Sequence, residues 1–262
     1  MSPSALDFSI LLPAFVAGLL VTATHVPLGT QVLARGIVFI DLAIAQIAGC
    51  GVLLADRLGF EPEGIAVQVA ALVAALGGAL LLTWTEKAWP EVQEAVIGVV
   101  FVLAATGGVL LLASNVHGSE HLRDLLVGQI LWVQPRALAW TAAIYAALLA
   151  VWFGARERLG RAGFYLVFAV AVTVSVQLVG VYLVFATLIV PPLSTRRMAR
   201  HRLAAAWALG VAGYAVGLVA STALDLPTGP AIVWALAVLA AAWFALNARA
   251  GDAGRARERA RA

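Results

Sequence analysis

The sequence predicts an all-α membrane protein of about eight transmembrane helices, and two observations carry that prediction. The first is composition: 63% of the residues are hydrophobic, 12% are charged, and the mean hydropathy is +0.97. Soluble domains are about 45–50% apolar and about 25% charged. The second is the stretch 162–195, which contains no charged side chain and ends at Arg196-Arg197. About 20 apolar residues suffice for a helix to cross the hydrocarbon core.

Apolar windows follow one another along the whole chain. They cover residues 8–24, 37–55, 64–83, 92–114, 137–153, 163–192, 203–222 and 229–247. Each is predicted to be helical, because backbone in lipid must satisfy its own hydrogen bonds. The first window is expected to be a retained helix, since no basic region of a cleaved signal peptide precedes it. We therefore expect a transmembrane domain over 1–248 and a disordered, Arg-rich cytoplasmic tail over 249–262.

Glycine and proline predict special geometry in two windows. Gly180 interrupts the sixth window, and Pro191-Pro192 is expected to end it, because proline lacks a backbone donor and restricts the preceding residue. A short basic amphipathic piece is then expected along the membrane surface. In the seventh window, Gly213 and Gly217 form a GxxxG pair, which favours close helix packing.

The basic segments predict which loops are cytoplasmic. The segment 194–202, the tail after Asn247 and the loop 154–162 are all rich in arginine. Having 154–162 and Arg196 on one side requires an even number of crossings between them. Those residues are too few for two full helices, but they suffice for one span plus a broken or re-entrant half. The net charge of +3 is explained by these loops and indicates no nucleic-acid partner.

Polar residues inside apolar windows are candidates for function. Asp41 lies near the start of the second window, where it either faces a cavity or caps the helix at the interface. Gln46 and Cys50 are four residues apart and should share a helix face. Their amide and thiol suit Mn²⁺ and Zn²⁺ respectively, or else they serve helix packing. His25, beside Pro27, is expected at the interface, with a ligand role as the alternative.

His117, Glu120 and His121 form an HxxEH string between the fourth and fifth windows. On a helix these side chains would share one face, and imidazole with carboxylate is common zinc chemistry. The same string occurs in one class of metalloprotease, so a membrane-embedded metal hydrolase is one alternative. A metal-contacting vestibule and a solvated polar loop are the others.

Five stretches in order along the chain carry a family resemblance. They are 27–55, 94–114, 121–133, 175–197 and 220–233, of which SVQLVGVYLVFATLIVPPLSTRR (175–197) is the strongest. Together they resemble the membrane permease of the bacterial ABC-3 family of zinc, manganese and iron importers. The resemblance implies a homodimer in the bacterial inner membrane, a cytoplasmic ABC ATPase and an extracytoplasmic metal-binding protein. Its cargo would be zinc or manganese, with iron as a further option, and no cofactor would be permanently bound.

The resemblance also implies how the chain would couple to ATP. The chain has no GxxxxGK[ST] phosphate loop, so it is expected not to be an enzyme, and ATP would act through the partner subunit. The segment 191–204 lies where the family has its coupling helix, which docks into the ATPase. Its coupling residues would be Pro191, Pro192, Arg196, Arg197, Arg200 and Arg202. The alternative is an ordinary cytoplasmic loop, and the rival function is a secondary transporter that works without ATP.

The second helix departs from the family pattern, which commonly reads Gly-Asp-x-x-x-His. Aligning Arg35, Phe39 and Gly51 puts Asp41 at the glycine, Leu42 at the aspartate and Gln46 at the histidine. Either Asp41 is brought into place by a helix shift, or this branch handles its ion differently. The expected metal contacts along the path are Asp41, Gln46, His117, Glu120 and His121.

Overall fold

The computed structural model describes residues 8–61, 64–112, 126, 128–198 and 200–259. Most of these residues are helical, as predicted for the apolar windows. The helices are α1 (Phe8–Arg35), α2 (Ile40–Arg57), α3 (Ile65–Ala88), α4 (Gln93–Leu112), α5 (Pro135–Val179), α6 (Val181–Ser194), α7 (Arg202–Leu224) and α8 (Thr228–Arg259). Short 3₁₀ turns at Pro90–Val92 and Ile130–Trp132 precede α4 and α5.

Seven segments of the described chain are long and apolar enough to cross a membrane. They are Ser9–Arg35, Ile65–Ala88, Pro90–Leu112, Pro135–Ala155, Arg158–Val179, Arg202–Leu224 and Thr228–Leu246. The helix α5 supplies two of them, because it bends at Gly160 (φ 58°, ψ −159°). The second predicted window forms α2, an 18-residue helix with charged residues near both ends. It packs against α3 and α4. The predicted class, an all-α protein with many spans, is confirmed.

The sixth window divides at Gly180, as predicted. The second half of α5 ends there, and the 14-residue α6 begins at Val181. Near the start of that half, Arg161 lies 3.9 Å from Glu86, and Arg35 lies 4.3 Å from the ring centroid of Phe164. Pro192, near the end of α6, packs beside Gly29 of α1, about 9 Å along the helix from Arg35. The second half of α5 therefore crosses the bundle, and α6 returns to the side from which that half started. This arrangement matches the predicted full span followed by a shorter, broken one.

The diproline does not end this helix, so that prediction was wrong. Pro191 and Pro192 lie inside α6, which continues to Ser194. The carbonyl of Pro191 accepts hydrogen bonds from the hydroxyl of Ser194 (2.8 Å) and the backbone N–H of Thr195 (3.3 Å). Helix ends leave carbonyls without intrahelical donors, and these two donors satisfy one of them.

Small residues bring the central helices together. Any side chain at Gly213 or Gly217 would meet Leu236 or Ile232 of α8, so the predicted close approach at the GxxxG pair is confirmed. At Gly18 of α1 a side chain would meet the ring of Tyr214 in α7. The helix α1 also packs against α5 and α6, which places it in the centre of the bundle.

Candidate functional site

An apolar groove with a volume of about 660 Å³ lies between α2, α4, α6 and α8. Its walls are formed by Leu42, Gln46, Phe101, Ala105, Val109, Leu126, Val181, Tyr182, Phe185, Ala186, Val190, Pro230, Val233 and Trp234. None of these described wall residues is charged. One side of the groove is open, since Trp234 is 71% exposed and Tyr182 is 50% exposed. This is the candidate site for a molecule that crosses the bundle.

The short helix α6 forms most of one wall. Its five wall residues, from Val181 to Val190, recur at spacings that place them on one helical face. Because the helix is interrupted at Gly180, α6 does not continue along the axis of α5, and this face points towards α2 and α4. Phe185 stacks on Phe39, just before α2, with ring centroids 6.5 Å apart and planes 6° from parallel. This stacking holds α6 against the start of α2.

Gln46 lies on the groove wall and Cys50 lies one turn behind it. Both line a smaller adjoining cavity of about 20 Å³, which confirms that they share a helix face. The Cys50 thiol donates a hydrogen bond to the Ala104 carbonyl of α4 at 3.1 Å, so it is engaged in joining two helices. No hydrogen bond joins the Gln46 side chain to another described residue. Its amide is therefore available to a bound molecule.

Asp41 occupies a different position from Gln46. It lies in the first turn of α2, is 1% exposed, and its Oδ1 has no hydrogen-bond partner among the described residues. The groove wall at this level is formed by Leu42. A carboxylate in the first turn interacts favourably with the helix dipole, but the N-cap position is occupied by Phe39 and not by Asp41. The structure thus brings Gln46 to the groove and leaves Asp41 beside it, and a metal contact at Asp41 stays a prediction.

The HxxEH string, His117, Glu120 and His121, lies outside the described residues. Among the residues that are described, no group of three or more His, Cys, Asp and Glu side chains lies close enough to hold a metal ion. The predicted metal contacts at HxxEH therefore stay predictions.

The predicted coupling segment lies at the end of α6. Arg196, Arg197 and Arg200 are exposed, and Arg202 begins α7. The guanidinium of Arg197 lies 5.4 Å from the ring centroid of Phe244 in α8, and the N–H of Met198 donates to the Thr195 carbonyl at 3.0 Å. In the described part, residues 195–201 form turns and bends. The basic side chains are thus displayed on a compact connection between α6 and α7.

His25 is fully buried in α1, so its predicted interfacial position was wrong. Its Nδ1 lies 3.1 Å from the Val21 carbonyl and 3.0 Å from the Thr24 hydroxyl. Tyr145, in the first half of α5, packs near this imidazole and hydrogen-bonds to Ser175 in the second half. Sequence reasoning missed Tyr145 and Ser175. The available signal was a hydroxyl-bearing side chain within an apolar window, which needs a partner when buried.

Comparison with known proteins identifies the group to which this architecture belongs. The sequence profile of the ABC 3 transport family matches residues 7–164 and 154–247. The chain belongs to the ABC 3 transport family. The match includes every helix that forms the groove.

Individual relatives of this ABC 3 chain agree with that assignment. It is 27% identical to an uncharacterized membrane protein of Synechocystis sp., with 87% of this chain and 88% of that protein covered. Its fold is similar to that of a chain in PsaBC from Streptococcus pneumoniae in complex with Fab (TM-score 0.73, 20% identity, 92% and 93% covered). It is also similar to an inward-facing conformation of a proposed metal-chelate type ABC transporter (TM-score 0.64, 16% identity, 90% and 84% covered). At these identities the two likenesses show a shared fold.

Proposed function

We propose that this chain is the membrane permease subunit of an ATP-driven importer of a divalent transition metal in the bacterial inner membrane. Zinc or manganese is the proposed cargo, with iron as the further option. A separate cytoplasmic ABC ATPase would hydrolyse ATP, and an extracytoplasmic metal-binding protein would deliver the metal. Membership of the ABC 3 transport family supports this function.

The observation that carries the proposal is that α6 connects the groove to the basic segment. One face of this helix forms a wall of the groove, and its end leads directly into the basic residues Arg196 and Arg197. Movement of the ATPase against these arginines would shift α6 and so change the width of the groove. Because α6 begins at the Gly180 break, it is free to move without carrying all of α5.

A second copy of the chain would complete the path. The groove is open beside Trp234 and Tyr182, and an open groove in lipid would not guide an ion across. A symmetric pair would present the same surface from both copies and enclose the path between them. The helix α4 starts beside Phe39 and ends on the side of the bundle opposite Arg196, and the HxxEH residues come next in the sequence. We assign His117, Glu120 and His121 to the entrance, where the metal would arrive.

The coupling assignment is tested by reversing charge at the end of α6. In the Arg196→Glu/Arg197→Glu variant, ATPase co-purification and ATP-dependent metal uptake should fall at least about tenfold. Arg158→Glu is the matched control, because Arg158 is also an exposed arginine on the same side of the bundle. Both variants should reach the membrane in equal amounts. Unchanged uptake by the double variant would reject the coupling role.

A further inference from the structure

The described groove walls offer few ligands to a bare transition-metal ion. Zn²⁺ is held in proteins by thiolate, imidazole and carboxylate, and harder ions are held by several oxygens. Among the described residues the walls contain no thiolate, imidazole or carboxylate, and their polar side chains are those of Gln46, Tyr182 and Trp234. The thiol of Cys50, behind the wall, is engaged with the Ala104 carbonyl. A dication that shed its hydration shell to contact these walls would find few ligands in exchange, which is strongly unfavourable.

The size of the groove also exceeds what a bare ion needs. Six water molecules around an ion occupy roughly 180 Å³, at about 30 Å³ per water. The groove of one copy has a volume of about 660 Å³. That volume falls within the range of about 300–1,000 Å³ that is typical of sites for small organic molecules.

We infer that the metal crosses this groove as an uncharged chelate, with its coordination sphere filled by small organic ligands. The inference rests on the proposed function and specifies the form of its cargo. An uncharged complex matches an uncharged wall, because neither has to give up strong hydration. The amide of Gln46, which hydrogen-bonds to no other described residue, and the hydroxyl of Tyr182 are placed to hydrogen-bond to polar groups of the chelator. The apolar residues of α6 and α8 would contact its hydrocarbon parts.

The test follows both components of one neutral probe, zinc bis-histidinate made with radioactive zinc and tritiated D-histidine. Uptake is compared in cells that carry the complete importer and in cells that lack this chain. We expect chain-dependent entry of zinc together with about two histidines, the complement that fills a tetrahedral zinc site. Chain-dependent entry of zinc without tritium, at a rate set by the free Zn²⁺ concentration, would overturn the inference. Chain-dependent entry of neither label would also overturn the inference, and chain-dependent uptake of Mn²⁺ or Fe²⁺ salts by the same cells would show that the proposed function stands without it.

Two variants test the wall chemistry. Gln46→Leu removes the amide and should lower chelate uptake about two- to tenfold, the equivalent of one hydrogen bond. Gln68→Leu, at an exposed glutamine of α3 away from the groove, is the control and should leave uptake unchanged. Leu42→Asp/Gln46→His places a carboxylate and an imidazole one turn apart on the wall. It should raise the ratio of free Zn²⁺ uptake to chelate uptake at least about tenfold. Equal chelate uptake by Gln46→Leu and Gln68→Leu would contradict the inference, whether or not the double variant folds.

Discussion

Gly29 of α1 and Pro192 of α6 lie at the close contact between these two helices. Pro192 has no backbone N–H, so the carbonyl of Leu188 lacks its usual helical donor. That carbonyl is the nearest atom to the position a side chain would take at Gly29, and Pro192 Cγ lies 3.1 Å from the same position. Glycine therefore lets the two backbones approach closely.

Replacing Gly29 with alanine should destabilise the protein by about 1–3 kcal/mol, because the new methyl group would overlap with the backbone of α6. Gly77→Ala in α3 is the control, since nothing lies within 4 Å of the position of its new side chain. Thermal unfolding of the purified protein in detergent measures both. Equal melting temperatures for the two variants would show that α6 does not depend on this contact.

Thr187 and Tyr214 join α6 to α7 through hydroxyl groups that lie 3.0 Å apart and are both buried. Hydrogen bonds between membrane helices contribute on average about 0.6 kcal/mol, with a maximum of about 1.7 kcal/mol. A double-mutant cycle with Thr187→Val and Tyr214→Phe should give a coupling free energy in this range. A coupling of zero would mean that the two hydroxyl groups do not interact in solution.

The break between α5 and α6 depends on a backbone conformation that favours glycine. Gly180 has φ 82° and ψ 161°, a region occupied almost only by glycine. Gly180→Ala should therefore lose about 1–3 kcal/mol of stability or straighten the break, and ATP-dependent uptake should fall because α6 could no longer move separately.

Gly154→Ala is the control for Gly180→Ala, since Gly154 lies in the interior of α5 with open space around it. Melting temperature and uptake are measured for both. Full stability and full uptake in Gly180→Ala would rule out a hinge at this position.

The helices could be predicted from the sequence because the membrane imposes their length and apolar character. The Gly180 break was also predictable, since glycine interrupts an otherwise uncharged run. The continuation of α6 through Pro191-Pro192 could not be predicted, because it depends on hydrogen bonds from Ser194 and Thr195 to the Pro191 carbonyl. Burial of His25 depends on Tyr145 and Ser175, which are distant in sequence. Sequence spacing placed Gln46 and Cys50 on one face, but only the fold shows which of them reaches the groove.

The distribution of charge over the whole molecule agrees with its proposed orientation. Arg35, Arg161 and Arg197 lie on one side of the bundle, near Phe164, Glu86 and Phe244 respectively. Excess arginine marks the cytoplasmic side of bacterial membrane proteins. The ATPase would therefore meet α6 on this side, and the groove would receive its cargo from the other.

ATP-dependent metal uptake by reconstituted vesicles tests the proposed function most directly. Vesicles that contain this chain with its ATPase should accumulate metal only when ATP is present on the ATPase side. Vesicles that contain the chain alone should accumulate none above protein-free vesicles, because the chain has no phosphate-binding loop of its own. Metal accumulation by the chain alone, driven by an ion gradient, would contradict the account and identify a secondary transporter.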